Sequence, residues 1–284
     1  MEYGTFGKTG VSVSRIGFGG APAGLKNYLQ SYDPDAETDR NQILNAIDAA
    51  LLAGINYFDT APGYGNGKSE EMLGYALQGH RSNVFLASKS GICGADELRR
   101  SVENSLIRLQ TDQLDFLQIH GTSYTDDAVR TILQGGMLEQ MLQLKAEGLV
   151  RFIGFTSEDN NAAVYEFIQS GQFDMMQICY NLFMQHAYDA NRPFGSILEA
   201  EKAGMGIAVM RTTTSGLFSR WMQVANPHNT FDYTEALIQF VLSNPYVDVA
   251  LIGMRTAEEV RKNAAICEHV SGRMDLRDLF TYYR

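Results

Sequence analysis

Apolar residues along this chain fall into two alternating patterns. Short runs rich in β-branched and aromatic residues recur at 14–20 (SRIGFGG), 56–61 (NYFDTA), 84–90 (VFLASKS) and 114–120 (LDFLQIH), then at 151–157 (RFIGFTS), 175–181 (MMQICYN), 206–212 (GIAVMRT) and 248–254 (DVALIGM). Between them lie stretches with apolar positions three and four apart. Leu98, Val102, Leu106 and Leu109 in ADELRRSVENSLIRL show the spacing, as does TILQGGMLEQMLQLKAEG, which Gly148 closes as a C-cap. Runs apolar on both faces predict parallel strands buried beneath helices and joined by right-handed crossovers. Eight repeats, with no glycine-rich dinucleotide loop after the first strand, predict an α/β fold: a closed (β/α)8 TIM barrel rather than an open doubly wound sheet. Residues 1–12, with GKTG as the turn, predict a short β-hairpin capping the barrel bottom. No linker or shift of composition divides the chain, so residues 1–284 are expected to form one barrel domain.

Composition narrows the partners. The net charge is −10, from 23 basic and 33 acidic residues, and no run of basic residues occurs, which disfavours nucleic acid and anionic membrane. The start, MEYGTFGKTGVSVSRIGFGG, has neither a basic n-region nor an unbroken apolar core, and no stretch reaches membrane-span length. A cytoplasmic protein is expected. Cys93, Cys179 and Cys267 are odd in number, widely spaced and outside any CxxC or Cys/His cluster, which suits a reducing compartment and argues against a metal site.

In such a barrel the loops after the strands form the active face, so polar residues at strand ends carry the candidate chemistry. Asp59 ends the second strand, Lys89 the third and His120 the fourth, and Tyr64 follows the second on its loop. Adjacent strands lie about 4.8 Å apart, which lets these side chains meet over the barrel mouth. A phenol is a weak acid near neutral pH, but a neighbouring ammonium stabilises its anion, and a carboxylate holds that ammonium charged. A neutral imidazole beside them donates a hydrogen bond to a carbonyl oxygen. Taken singly, Asp59 reads as a turn initiator, Lys89 as a solvated loop residue, His120 as a packed core histidine and Tyr64 as a surface tyrosine. Their conjunction, each on successive strand ends, points instead to proton donation at a carbonyl under reduction.

These residues sit in GINYFDTAPGYGNGKSEEMLGYAL, VFLASKSG and ENSLIRLQTDQLDFLQIH, and together with GKTGVSVSRIGFGG and LIGMRTAEEVRKNAAI they resemble the aldo-keto reductase family over nearly the whole chain. The resemblance implies a nicotinamide-dependent carbonyl reductase or alcohol dehydrogenase acting on an aldehyde, ketone or sugar. Tyr64 is then the general acid, Lys89 and Asp59 tune it, and His120 positions the carbonyl. It also implies NADP as cofactor, NAD being the other possibility, bound without a Rossmann fold. Thr156, Ser157 and Gln177 would hold the carboxamide, Gly20 and Ala21 would flank the nicotinamide ribose beside Asp59, and Met210 would stack on the ring. Arg211 and Thr213 would follow toward the pyrophosphate, and Gly253, Arg255, Glu259 and Asn263 would meet the adenosine end. Glu259 stands where many NADP-preferring members place an arginine. A carboxylate there favours a free 2′-hydroxyl, whereas Arg255 favours a 2′-phosphate.

Substrate choice is expected from residues 20–39, 213–230 and the tail 270–284, with Tyr28, Trp221 and Tyr282 as candidate contacts. Trp221 reads equally as an aromatic wall over the substrate or as a pin holding its loop. RIGFGGAPAGLKNY and FDTAPGYGNGKSE resemble hexose dehydrogenases about as much as broad aldehyde reductases. Two rivals follow from the same resemblance: a slow redox-sensing barrel subunit, and a redox-neutral lyase or epimerase with tightly held cofactor. Elsewhere, GKSEEML predicts a helix start capped by Ser69, with Glu70 and Glu71 solvated in its first turn. Cys93 is expected to be an inert thiol.

Overall fold

A computed structural model describes residues 1–185 and 195–276. Every apolar run of the sequence becomes a strand: β3 (Ile16–Gly19), β4 (Tyr57–Asp59), β5 (Phe85–Ser90) and β6 (Leu114–Ile119), then β7 (Val150–Ser157), β8 (Met175–Cys179), β9 (Gly206–Met210) and β10 (Val249–Gly253). They pair in parallel in chain order, and β10 closes on β3 to complete an eight-stranded barrel. The helices are α1 (Ala21–Gly24), α2 (Glu37–Leu52), α3 (Lys68–Ala76), α4 (Ala95–Leu109), α5 (Asp126–Leu133) and α6 (Met137–Ala146), followed by α7 (Ala162–Ser170), α8 (Gly195–Lys202), α9 (Leu217–Ala225), α10 (Thr234–Leu242) and α11 (Ala257–Glu268).

Outward strand residues such as Phe58, Leu117, Ile153 and Ile178 share one core with the inward stripes of the helices, among them Leu98, Val102, Leu106 and Leu109 of α4. The stretch from Thr131 to Gly148 is broken into α5 and α6. Gly135 and Gly136 separate them, and Gly136 takes a left-handed φ of 87° that an L side chain rarely adopts. Gly148, at φ 81°, follows the C-cap Glu147.

The barrel bottom is sealed as expected, by a hairpin two residues longer than its sequence bounds. Strands β1 (Tyr3–Thr5) and β2 (Ser12–Ser14) pair antiparallel, and GKTG forms a 3-10 turn between them. Phe6 enters the barrel and packs 5.0 Å from the Phe116 ring and 5.6 Å from Tyr57. A Cβ on Gly206 would stand 2.4 Å from the Phe6 ring, so the plug requires glycine at that strand start. The closed bottom leaves chemistry to the opposite rim.

Candidate active site

The four strand-end residues converge on one cleft at the C-terminal mouth, about 1030 Å³ of free space counted out to solvent. Asp59 and Lys89 are buried. The Lys89 ammonium donates to both carboxylate oxygens of Asp59, at 2.7 and 2.6 Å, and to the Thr60 carbonyl at 2.7 Å. Burial works against charge on Lys89, but Asp59 and the Tyr64 phenol outweigh it and hold its pKa above the ordinary lysine value. The site therefore carries a fixed ammonium. Its Nζ lies 5.0 Å from the Tyr64 ring centroid.

Tyr64 is placed by close backbone contact rather than by a long side-chain network. A Cβ on Gly24 would stand 2.1 Å from the Tyr64 carbonyl oxygen, and one on Gly65, at φ 68°, would stand 2.0 Å from the Gly24 oxygen. Helix α1 and the tyrosine loop thus approach most closely where Gly24 and Gly65 leave no side chain in the way. Burial raises the Tyr64 pKa, and Lys89 only partly offsets it. The sequence-based expectation of a net lowering is reversed here, because removal from water outweighs the cation beside the phenol.

His120 stands edge-on to Tyr64, ring centroids 5.7 Å apart. Burial, then the Lys89 charge, push its pKa down to about 4, so the imidazole is neutral at neutral pH and able to donate one N–H. This shift has a stability consequence. Between its ordinary value and about 4 the unfolded chain binds the proton more readily, so stability falls as pH drops through that window. His120→Asn should make that acid-side loss shallower in thermal melts recorded against pH, and an unchanged slope would count against the shift.

The residues proposed for cofactor contact divide into two groups. Ala21, Thr156, Gln177, Met210, Arg211, Thr213 and Gly253 line the cleft, as does Tyr28. Gly20, Ser157, Arg255, Glu259, Asn263 and Trp221 are not among its wall. Arg255 is buried and donates to the carbonyls of Pro22 at 3.3 Å and Tyr28 at 2.7 Å, with its guanidinium 4.4 Å over the Tyr32 ring. It braces the loop that carries Tyr28. Glu259 accepts from the backbone N–H groups of Arg255 and Thr256, closing a capping box at the start of α11. Gly20 is held by backbone, donating to Asp59 O at 2.7 Å. Asn263 is buried on α11. Trp221 lies 5.0 Å from Phe183 and is half exposed, which fits the pin rather than the wall. Tyr282 and the tail beyond residue 276 lie outside the described residues.

The hydroxyls of Thr156 and Ser157 are already engaged. Thr156 donates to the Gly121 carbonyl at 2.7 Å and accepts from the Gly121 N–H at 3.0 Å, while Ser157 donates to the carbonyls of Thr122 and Asp159. They tie down the loop that follows His120. Gln177 differs: its Oε1 is buried, accepts no hydrogen bond, and belongs to the cleft wall. An orphaned acceptor there suits the amide N–H of a nicotinamide carboxamide, so the residues present fit such a group.

Sequence reasoning missed several participants. Glu158 pairs with Arg211 at 2.5 Å across the cleft mouth, and Gln118 donates to Asp59 at 3.1 Å from inside the barrel. A glutamine inside the apolar run LDFLQIH, two residues before His120, was the available signal. Ser69 and Glu70 correct the expected helix start. Gly67 is the N-cap of α3, and Ser69 instead links Thr60 Oγ1 to the Gly20 carbonyl. Glu70 is fully buried, taking Ser88 at 2.5 Å and Arg108 at 2.6 Å. Burial raises the pKa of the Cys93 thiol and the hydrogen bond with Ser90 only partly offsets it, in keeping with an inert side chain.

The C-terminal mouth of a closed barrel thus brings a buried carboxylate–ammonium pair, a phenol and a neutral imidazole into one cleft. The chain belongs to the aldo/keto reductase family, whose model matches residues 15–279, and is an NAD(P)-dependent oxidoreductase. It is 29% identical to an L-galactose dehydrogenase of Arabidopsis thaliana, over 98% of this chain and 92% of that one. It is 26% identical to an uncharacterised oxidoreductase, YqkF, of Bacillus subtilis, over 80% and 82%. A crystal structure of an aldo/keto reductase from Klebsiella pneumoniae in complex with NADP and acetate superposes with a TM-score of 0.74 at 26% identity, covering 99% and 95%. No helix among the described residues is long and apolar enough to cross a membrane.

Proposed function

We propose that the protein transfers a hydride between NADP(H) and a small hydroxylated carbonyl compound of the aldose type. The observation that carries this reading is the cleft in which Asp59, Lys89, Tyr64 and His120 meet the unspent acceptor of Gln177. When bound, the nicotinamide supplies the hydride. Tyr64 delivers the proton to the carbonyl oxygen in reduction and removes it in oxidation. Lys89, fixed by Asp59, stabilises negative charge on the phenol, and His120 donates its N–H to the substrate oxygen. Gln177 holds the carboxamide, and Met210 lies along the wall where the ring would rest.

The remaining wall favours a polar substrate. Tyr28, Thr122 and Ser215 bring hydroxyls to the cleft, and the Arg211–Glu158 pair rims it, while Leu25 and Leu29 supply an apolar side. The plant relative named for L-galactose adds to this reading. A panel of aldohexoses, their alcohols and hydroxyl-free aldehydes, run with NADPH and NADH, tests it. Preference for hydroxylated substrates is expected, and a clear preference for hydroxyl-free aldehydes would remove the aldose assignment. Replacement of Gln177 by Leu should weaken NADP(H) binding roughly tenfold, the worth of one buried hydrogen bond, in a fluorescence titration. Unchanged affinity would move the carboxamide elsewhere. We place the protein in the reducing cytoplasm, consistent with three cysteines that form no disulfide.

A further inference from the structure

We infer that Gln118 is a positioning residue of the proton-transfer site, orienting the Asp59 carboxylate from beneath and easing ionisation of Tyr64. The inference rests on the proposed function. Gln118 lies on β6 in register with Lys89 on β5, and its side chain is wholly buried. Its Nε2 donates to Asp59 Oδ1 at 3.1 Å, the same oxygen that receives Lys89 at 2.7 Å. The amide orientation is dictated by the carboxylate, since the opposite flip would set oxygen against oxygen. Its Oε1, by contrast, accepts no hydrogen bond. A glutamine that satisfies only one end in a barrel interior is a poor stability choice beside a leucine. Residues that break a folding rule are expected where they serve a site.

Among the described residues, Asp59 of β4 accepts from this amide and Lys89 of β5 binds the same carboxylate oxygen; Tyr64 lies against Lys89, and His120 stands beside Tyr64. The register partner on β7 is Gly154, which brings no side chain. Through the amide donor, part of the charge on Asp59 is spent away from Tyr64. Removing the donor leaves Asp59 with its full charge facing Lys89 and the phenol, which makes the phenolate harder to form.

Gln118→Leu separates this role from a structural one. A melting temperature at or above wild type, unaltered NADP(H) affinity, an acid limb of the oxidation pH profile displaced to higher pH and roughly tenfold slower oxidation at neutral pH are expected. Gln118→Met, closer in length and also without a donor, should behave alike. A fall in melting temperature with an unmoved profile would assign Gln118 to folding and overturn the inference. Failure of the functional reading is read separately, as absence of turnover by the wild-type protein across the substrate panel. In that case the phenolate absorbance of Tyr64, isolated by difference from Tyr64→Phe, is titrated in the wild-type and Gln118→Leu backgrounds. An upward shift sustains the inference and no shift sinks it.

Discussion

Tyr64→Phe should lower turnover by about two to four orders of magnitude while leaving NADP(H) affinity near wild type, because it deletes the proposed acid and little else. The ring is kept, so contact with His120 and the loop packing around Gly24 and Gly65 survive. Burial holds the phenol protonated at neutral pH, which is the state reduction requires. Oxidation requires the phenolate. The wild-type reductive rate should accordingly be flat through neutral pH and fall only in the alkaline range, while the oxidative rate climbs with pH. Both profiles should collapse in Tyr64→Phe, and turnover retained near the wild-type level would remove Tyr64 from its role. Cofactor titration in the same variant guards against a trivial cause, since lost turnover with lost binding would point to a collapsed cleft.

The barrel and its four rim residues were legible because strand burial is a local signal. An apolar run that stops at a charged residue marks the strand end, and in a parallel barrel all such ends share one face. That put Asp59, Lys89 and His120 together before any coordinates. What stayed illegible depends on partners remote in sequence. Glu70 reads as a solvated first-turn residue until Ser88 and Arg108, 18 and 38 positions away, are brought onto it. Ser69 has the composition of a cap but is drawn inward to Gly20. Arg255 and Glu259 likewise have partners that their place in the motif does not show, the carbonyls of Pro22 and Tyr28 for one and the backbone at the start of α11 for the other. Position along a motif tells which strand end a side chain leaves from, and only packing tells which way it turns.

The same distinction between local and remote partners makes Lys89 the most informative residue to remove. Lys89→Met should abolish turnover and also destabilise the fold by about 3–5 kcal/mol near neutral pH, because it strands the Asp59 carboxylate in the barrel without its counter-ion. Asp59 and Lys89 are 3% and 1% exposed, so water cannot take the place of the missing ammonium. A lone buried carboxylate has a folded-state pKa above its unfolded value, so the folded chain gains its proton first as pH falls, and the deficit relative to wild type should narrow on acidification. The double variant Asp59→Asn with Lys89→Met removes both charges. Its amide oxygen still accepts from Gln118, and no ion is left unpaired, so much of the stability should return. Turnover should not return, since neither a phenolate-stabilising cation nor its anchor remains beside Tyr64. Chemical denaturation of the wild type and both variants at two pH values decides the matter. A double variant no more stable than Lys89→Met would show that lost packing, rather than a stranded charge, caused the damage, and recovered turnover would take Lys89 out of the chemistry altogether.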